Sequence, residues 1–212
     1  MMLDRESLQK IMVGFDLETL DNSKDIIYAL SKDLKIIYYN PAWSEFAISN
    51  GADSKKIKNY ILTTPISKAI PAIFRKLYIS KFEESLQTGK VWKFDYECSS
   101  EDTYRTFNQI SYPFKNGEGI LVINRIRVEI PMSKTQRVSK KALESMYMFD
   151  TGFINQCSNC RCIQNNTDEE VWDWVPDWVK EIHPKTSHTI CPVCYDYYWK
   201  YHKIKFSTAE VY

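Results

Sequence analysis

Cys157-Ser158-Asn159-Cys160 and Cys191-Pro192-Val193-Cys194 are two CxxC pairs separated by 30 residues, and together they hold four of the chain's six cysteines. Two thiolates spaced this way in a tight turn can both reach one ion, while backbone N–H groups stabilise their charge. Two such knuckles brought together set four sulfurs at tetrahedral corners, which suits Zn²⁺. A closed set of four leaves no open coordination position, so the metal is expected to be structural. A dithiol redox pair and an incidental cluster are the other readings of the same spacing. His188, three residues before Cys191, is either an alternative ligand or a hydrogen-bond donor just behind the ligands. Cys162 lies too close to Cys160 to bind in the same knuckle and reads as a small free thiol. His183 and His202 lack partner spacing and read as surface residues.

The rest of the composition says where such a site belongs. The chain has 212 residues, 28 basic and 27 acidic, with 44% hydrophobic and 14% aromatic residues. That is enough apolar material for a real core and excludes wholesale disorder. Five of the six cysteines and all three histidines lie from Cys157 onward. The N-terminus offers no apolar stretch to act as a signal peptide, and apolar runs such as Ile26–Leu30 fall far short of the ~20 residues that cross a bilayer. A cytoplasmic protein without membrane contact is therefore expected, and in that compartment clustered cysteines point to metal before disulfides. Residues 1–150 carry net +3 and residues 151–212 net −2. Neither part has the field that sequence-independent nucleic-acid binding needs, so nucleic acid is not the expected partner.

Four segments must position these residues. Residues 4–20 read as an amphipathic helix, with Leu8, Ile11, Met12 and Phe15 at helical spacing. Ile26–Leu30 and Lys35–Tyr39 read as a hairpin around Ser31-Lys32-Asp33, and Asn40-Pro41 starts a helix with Asn40 as N-cap. Residues 52–70 hold short turns, and a longer helix spans Ala72 to Leu86. Three strands follow over Val91–Ser99, Tyr104–Phe114 and Gly119–Val128. In the first, Trp92, Phe94, Tyr96 and Cys98 face one way, so Cys98 is expected to be a buried structural thiol. This order implies an α+β fold, one five-stranded antiparallel sheet with helices. Val138, Ala142 and Met146 at intervals of four suggest a connecting helix near 134–147; a solvated linker is the alternative. The domains are then an N-terminal helix (1–24), a sheet domain (25–130), the connecting helix (131–150) and a small zinc-stapled module (151–212). About 55 residues with Trp172, Trp174, Trp178 and Trp199 make only a small core, which a metal staple must supplement.

Residues 25–128 resemble a PAS domain, the sensory fold of bacterial signalling proteins. The resemblance is carried by Tyr28-Ala29-Leu30-Ser31-Lys32-Asp33-Leu34-Lys35-Ile36-Ile37-Tyr38-Tyr39-Asn40-Pro41-Ala42: strand, turn, strand, then an Asn beginning a helix. It implies a sheet cupping a small pocket, with a helix that caps the other face or forms a dimer; packing within one subunit is the plainer role for residues 4–20. Pocket walls would include Trp92, Phe94, Tyr96, Val122 and Ile126, which equally read as plain core. Haem bound through a histidine is excluded there, since no His precedes position 183. Asn159-Cys160-Arg161-Cys162-Ile163-Gln164 looks like the Asn-Cys-Arg-x-x-Gln core of flavin-binding light sensors, but too few residues follow it to supply the three strands that family needs.

The last third is similar to an extension of bacterial sensory proteins shaped Cys-x-x-Cys-x-x-Ile, then a Trp, then Ser-His-x-Ile-Cys-Pro-x-Cys. The matches are Cys157, Cys160, Ile163, Trp172 and Ser187 to Cys194. Cys162 stands where a basic residue is usual, and Asn165–Val171 lacks the usual Asp-x-Gly turn. The expected function is a non-enzymatic sensor or adaptor whose PAS-like domain binds a small ligand or partner, as a homodimer and with a signalling protein as possible partner. A transcription regulator using Arg125, Arg127, Lys134, Arg137, Lys140 and Lys141 on nucleic acid is the first alternative; a CxxC thiol oxidoreductase is the second. There is no phosphoacceptor histidine near the linker and no Gly-rich phosphate loop.

Overall fold

Ile26-Ile27-Tyr28-Ala29-Leu30 and Ile36-Ile37-Tyr38-Tyr39 are β-branched and aromatic runs, and both are strands: β1 (Ile26–Ser31) and β2 (Ile36–Tyr39), paired antiparallel with Tyr28 opposite Tyr39. The computed structural model describes residues 4–54, 57 and 62–197. Asn40 caps helix α3 (Pro41–Ser49), its side chain accepting from the Trp43 N–H. After a turn at Ile66–Lys68 comes the long helix α4 (Ala72–Thr88), two residues longer than its pattern predicts. Strands β3 (Trp92–Glu97), β4 (Thr103–Pro113) and β5 (Gly119–Pro131) follow. The sheet order is β2-β1-β5-β4-β3, so the last strand lies beside the first, from Ile26 opposite Asn124 to Ser31 opposite Gly119. The expected five-stranded antiparallel sheet with helices is observed.

The chain divides into two compact units: Met1–Tyr96 with Arg105–Glu129, and Glu97–Tyr104 with Ile130–Tyr212. In the first, the segment expected as one helix over 4–20 is two: α1 (Arg5–Ile11) and α2 (Leu17–Asp21). Gly14 lies in the break with φ of 98°, and the Asp16 carboxylate starts the second helix by accepting from the Thr19 N–H. Met12, Leu17 and Leu20 pack on Ile27, Ala29, Tyr38 and Leu121, so the N-terminal apolar stripe is covered by the sheet of its own chain.

Helices α3 and α4 supply the aromatic layer against β3 and β4. Tyr78 and Phe82 meet Trp92, with ring centroids 5.2 and 5.4 Å apart, Tyr78 also meets Phe94, and Phe46 meets Phe107 at 5.6 Å. Tyr96 stacks on Phe107. The strand face that reads as pocket wall or plain core is packed ring on ring. Val122 is buried with it, but Ile126 is 40% exposed, because β5 runs on past the packed layer. Cys98 is half-buried and lies beyond the end of β3, not on its inner face, so the buried-strand reading of this thiol is corrected.

The second unit carries a four-stranded sheet in the order β8-β7-β6-β9, formed by β6 (Ile154–Cys157), β7 (Ile163–Gln164), β8 (Trp172–Asp173) and β9 (Thr186–Thr189). The expected helix over 134–147 is a short turn at Met132–Lys134, an extended stretch, and the four-residue helix α5 (Glu144–Tyr147). The reason is a partner distant in sequence: the Lys140 N–H donates to the Trp174 carbonyl and Ser139 pairs with Trp174, so this backbone is used as strand rather than helix. Ala142 and Met146 still pack on a core of Tyr147, Ile154, Ile163, Val175 and Trp178, the last from helix α6 (Pro176–Lys180). Trp174 is buried. Trp199 and His202 lie outside the described residues. Among the described residues, no helix is long and apolar enough to cross a membrane.

Candidate metal centre

The two knuckles are brought together by one pair of strands. β6 ends at Cys157, and β9 lies parallel to it with Thr189 opposite Cys157. The Ser158 N–H donates to the Thr189 carbonyl at 2.8 Å, so the chain leaving β9 reaches Cys191 beside the first knuckle. That first knuckle closes when the Arg161 N–H donates to the Cys157 carbonyl at 3.0 Å and the Cys157 N–H to the Cys162 carbonyl at 2.8 Å. Arg161 takes a left-handed φ of 64° to make the turn, a conformation that disfavours side chains. The second knuckle is a helix start. Cys191 caps α7 (Pro192–Tyr195), Pro192 takes the first helical position, and the Cys191 sulfur accepts from the Cys194 N–H at 3.4 Å.

The Sγ atoms of Cys157, Cys160, Cys191 and Cys194 all lie within 4.8 Å of one another, and all four residues are buried. Cys160 and Cys191 are 3.7 Å apart at sulfur. Four sulfurs bound tetrahedrally at about 2.3 Å from zinc stand about 3.8 Å from each other. A disulfide would need about 2.05 Å. The donor set therefore fits one borderline-soft divalent cation. Its electrostatics point the same way. Hydrogen bonds from Cys160, Cys191 and Cys194 push the Cys157 thiol well below the ordinary thiol range, while hydrogen bonding to Cys157 pushes Cys160 far above it. Four thiols this close compete for a single negative charge; a divalent cation would let all four ionise.

The sulfurs have polar partners. Asn159, inside the first knuckle, is buried; its Nδ2 donates to Cys194 Sγ at 3.3 Å and its Oδ1 accepts from the Glu97 N–H at 3.1 Å. Arg137 donates to both carboxylate oxygens of Glu97, at 2.6 and 2.8 Å, and to the Cys160 carbonyl at 3.4 Å. Its guanidinium lies between the rings of Tyr104 and Trp174, 5.3 and 5.2 Å from their centroids. All these residues belong to the second unit.

Of the sequence-predicted site residues, the four cysteines come together. His188 is exposed on β9 opposite Gln156, and the side chain that donates to a cluster sulfur is Asn159. Cys162 is buried beside the knuckle. His183 is not a bare surface residue: it meets Glu144 at 3.1 Å and its ring lies 5.3 Å from that of Trp178. Sequence reasoning missed Asn159, Glu97 and the role of Arg137. Asn159 could have been suspected from its place between two ligands; the pairing of Arg137 with Glu97, 40 residues earlier, has no local trace.

No family model matches the chain, and no curated protein matches it. Solved structures similar to it include several PAS domains. The PAS domain of BvgS from Bordetella pertussis is 16% identical with a TM-score of 0.43, covering 58% of this chain and 88% of that one. A domain of an HTR-like protein from Haloarcula marismortui is 15% identical with a TM-score of 0.37, covering 50% of this chain and all of that one. A PAS domain from Colwellia psychrerythraea is 15% identical with a TM-score of 0.39, covering 52% and 92% respectively.

Proposed function

We propose that this chain is a sensory or signal-transduction protein of the PAS-like class, in which Cys157, Cys160, Cys191 and Cys194 hold one structural Zn²⁺. The carrying observation is the four buried sulfurs within 4.8 Å of one another, delivered by two knuckles of different sequence origin. A closed four-sulfur site stabilises a small module and offers no position to a substrate, and in this reading the protein acts by binding. The sensory reading is supported by the residues 28–42 motif and by the sheet that it opens, with the first and last strands adjacent. Clustered reduced thiols favour a cytoplasmic setting.

Three of the six basic residues that the nucleic-acid alternative would use are engaged with carboxylates. Arg125 is paired with Asp25 and Arg127 with Asp95, while Arg137 is engaged with Glu97. Native mass spectrometry of protein purified without added metal or cofactor tests the proposal. One zinc per chain is expected, and none in Cys191→Ser; a full zinc equivalent in that variant would refute the ligand set. The same spectrum reports any small molecule retained by the PAS-like domain.

A further inference from the structure

The sulfur cluster is tied to a segment far from it in sequence. Residues 97–104, the end of β3, the connection after it and the start of β4, belong to the second unit together with both knuckles. Two side chains make the tie. Asn159 bridges the Glu97 N–H and Cys194 Sγ, and Arg137 bridges the Glu97 carboxylate and the Cys160 carbonyl. The orientation of the Asn159 amide is fixed by chemistry: a backbone N–H can only donate, so Oδ1 must face Glu97 and the NH₂ group must face the sulfur. Glu97, Asn159 and Cys194 are all below 10% exposed, so water offers these groups little compensation. The Met132 N–H also donates to the Asp102 carbonyl, holding the far end of the connection to the second unit.

We infer that Asn159 is a positioning residue of the metal centre, and that through Asn159 and Arg137 the occupancy of the four-sulfur site sets the order of residues 97–104. This rests on the zinc reading above. With the cation bound, Cys194 Sγ and the first knuckle are both held by the metal, and the Asn159 amide that bridges Cys194 Sγ and the Glu97 N–H is held with them. Loss of the cation frees the first knuckle, which carries both Asn159 and the Cys160 carbonyl. Glu97 then loses two of its restraints together. Glu97 ends β3 and Thr103 begins β4, so the affected residues include the ends of two strands.

Three measurements test this on the full chain. Zinc affinity by chelator competition is compared for wild type, Asn159→Ala and Asn159→Asp. Removing a hydrogen-bond partner of a metal ligand typically costs roughly 10- to 100-fold in affinity, and about 10-fold is expected for Asn159→Ala. Asn159→Asp keeps the acceptor for the Glu97 N–H but turns a carboxylate oxygen toward the thiolate, and should bind no more tightly than Asn159→Ala. With Co²⁺ in place of zinc, the sulfur-to-metal charge-transfer band of Asn159→Ala should move to lower energy, because a thiolate without its N–H donor gives up electrons more easily. A merely structural role would not move that band. Hydrogen exchange of the wild type, with and without chelator, needs no variant: amides of residues 97–104 should exchange faster on zinc removal, while those of Ile27–Leu30 should not. Wild-type affinity and an unshifted band in Asn159→Ala, or residues 97–104 indifferent to chelation, would overturn the inference while leaving the zinc site standing. Wild-type protein that binds no zinc would overturn the metal reading, and the inference with it.

Discussion

The amide of Asn40 is fully buried, accepts from the N–H groups of Ile27 and Trp43, and donates to the carbonyls of Leu20, Ser23 and Asp25. One side chain thus ties α2, β1 and α3 together. Replacing it with Ala leaves several backbone groups unsatisfied in the interior, and each such group costs about 1–3 kcal/mol. Asn40→Ala is therefore expected to lower the unfolding free energy by roughly 3 kcal/mol, read from the urea midpoint; a change below about 1 kcal/mol would show that water replaces the amide at little cost. Arg161 gives a prediction of opposite sign. Its left-handed φ of 64° costs an ordinary residue about 1–2 kcal/mol, a cost that Gly does not carry. Zinc-loaded Arg161→Gly should melt at or above the wild-type temperature. Asn40 as a cap and the four cysteines as ligands are legible in the sequence because their signals are local: a residue type at a fixed offset. Asn159 as a sulfur donor is half legible, and the Glu97–Arg137 pair is not legible, since its two members meet only through the fold.

Strands with alternating or β-branched patterns are read well from sequence here, and helices less so. β1, β2 and the three later strands fall within a few residues of expectation, the first two because they are β-branched and aromatic runs and β3 because its residues alternate. The segment over 4–20 fails as one helix because its apolar spacing continues across Gly14, where the backbone turns and Asp16 starts again. The segment over 134–147 fails because three apolar residues at intervals of four do not outweigh a backbone partner, and Trp174 supplies that partner to Lys140. Close approach between β1 and β5 adds a testable point at Gly119, opposite Ser31. A Cβ there would overlap the Leu30 carbonyl and stand 2.6 Å from the Phe114 ring, and neither backbone nor packed ring yields cheaply. Gly119→Ala should destabilise the protein by about 2 kcal/mol or more, measured by urea unfolding. A neutral result would mean that the β1–β5 register shifts to make room.

The sequence reading divides the chain after residues 24, 130 and 150, whereas the compact units are Met1–Tyr96 with Arg105–Glu129, and Glu97–Tyr104 with Ile130–Tyr212. The strand β5 ends at Pro131, and the second unit's main segment starts at Ile130. The inclusion of Glu97–Tyr104 in that unit is not legible, because its cause is the meeting of Glu97 with Arg137 and Asn159. Limited proteolysis with chelator should accordingly open the Trp172–Trp178 region while β1 and β2 stay intact. The charge distribution permits a further expectation. With Arg125, Arg127 and Arg137 each paired to a carboxylate, and net −2 over residues 151–212, the chain should not retard duplex DNA in a gel at moderate salt. X-ray absorption at the zinc edge on the purified protein reads the ligand set itself. Four sulfur scatterers at about 2.3 Å are the expected result; a shell containing nitrogen or oxygen, or fewer than four sulfurs, would contradict the assignment of Cys157, Cys160, Cys191 and Cys194 as a closed structural site.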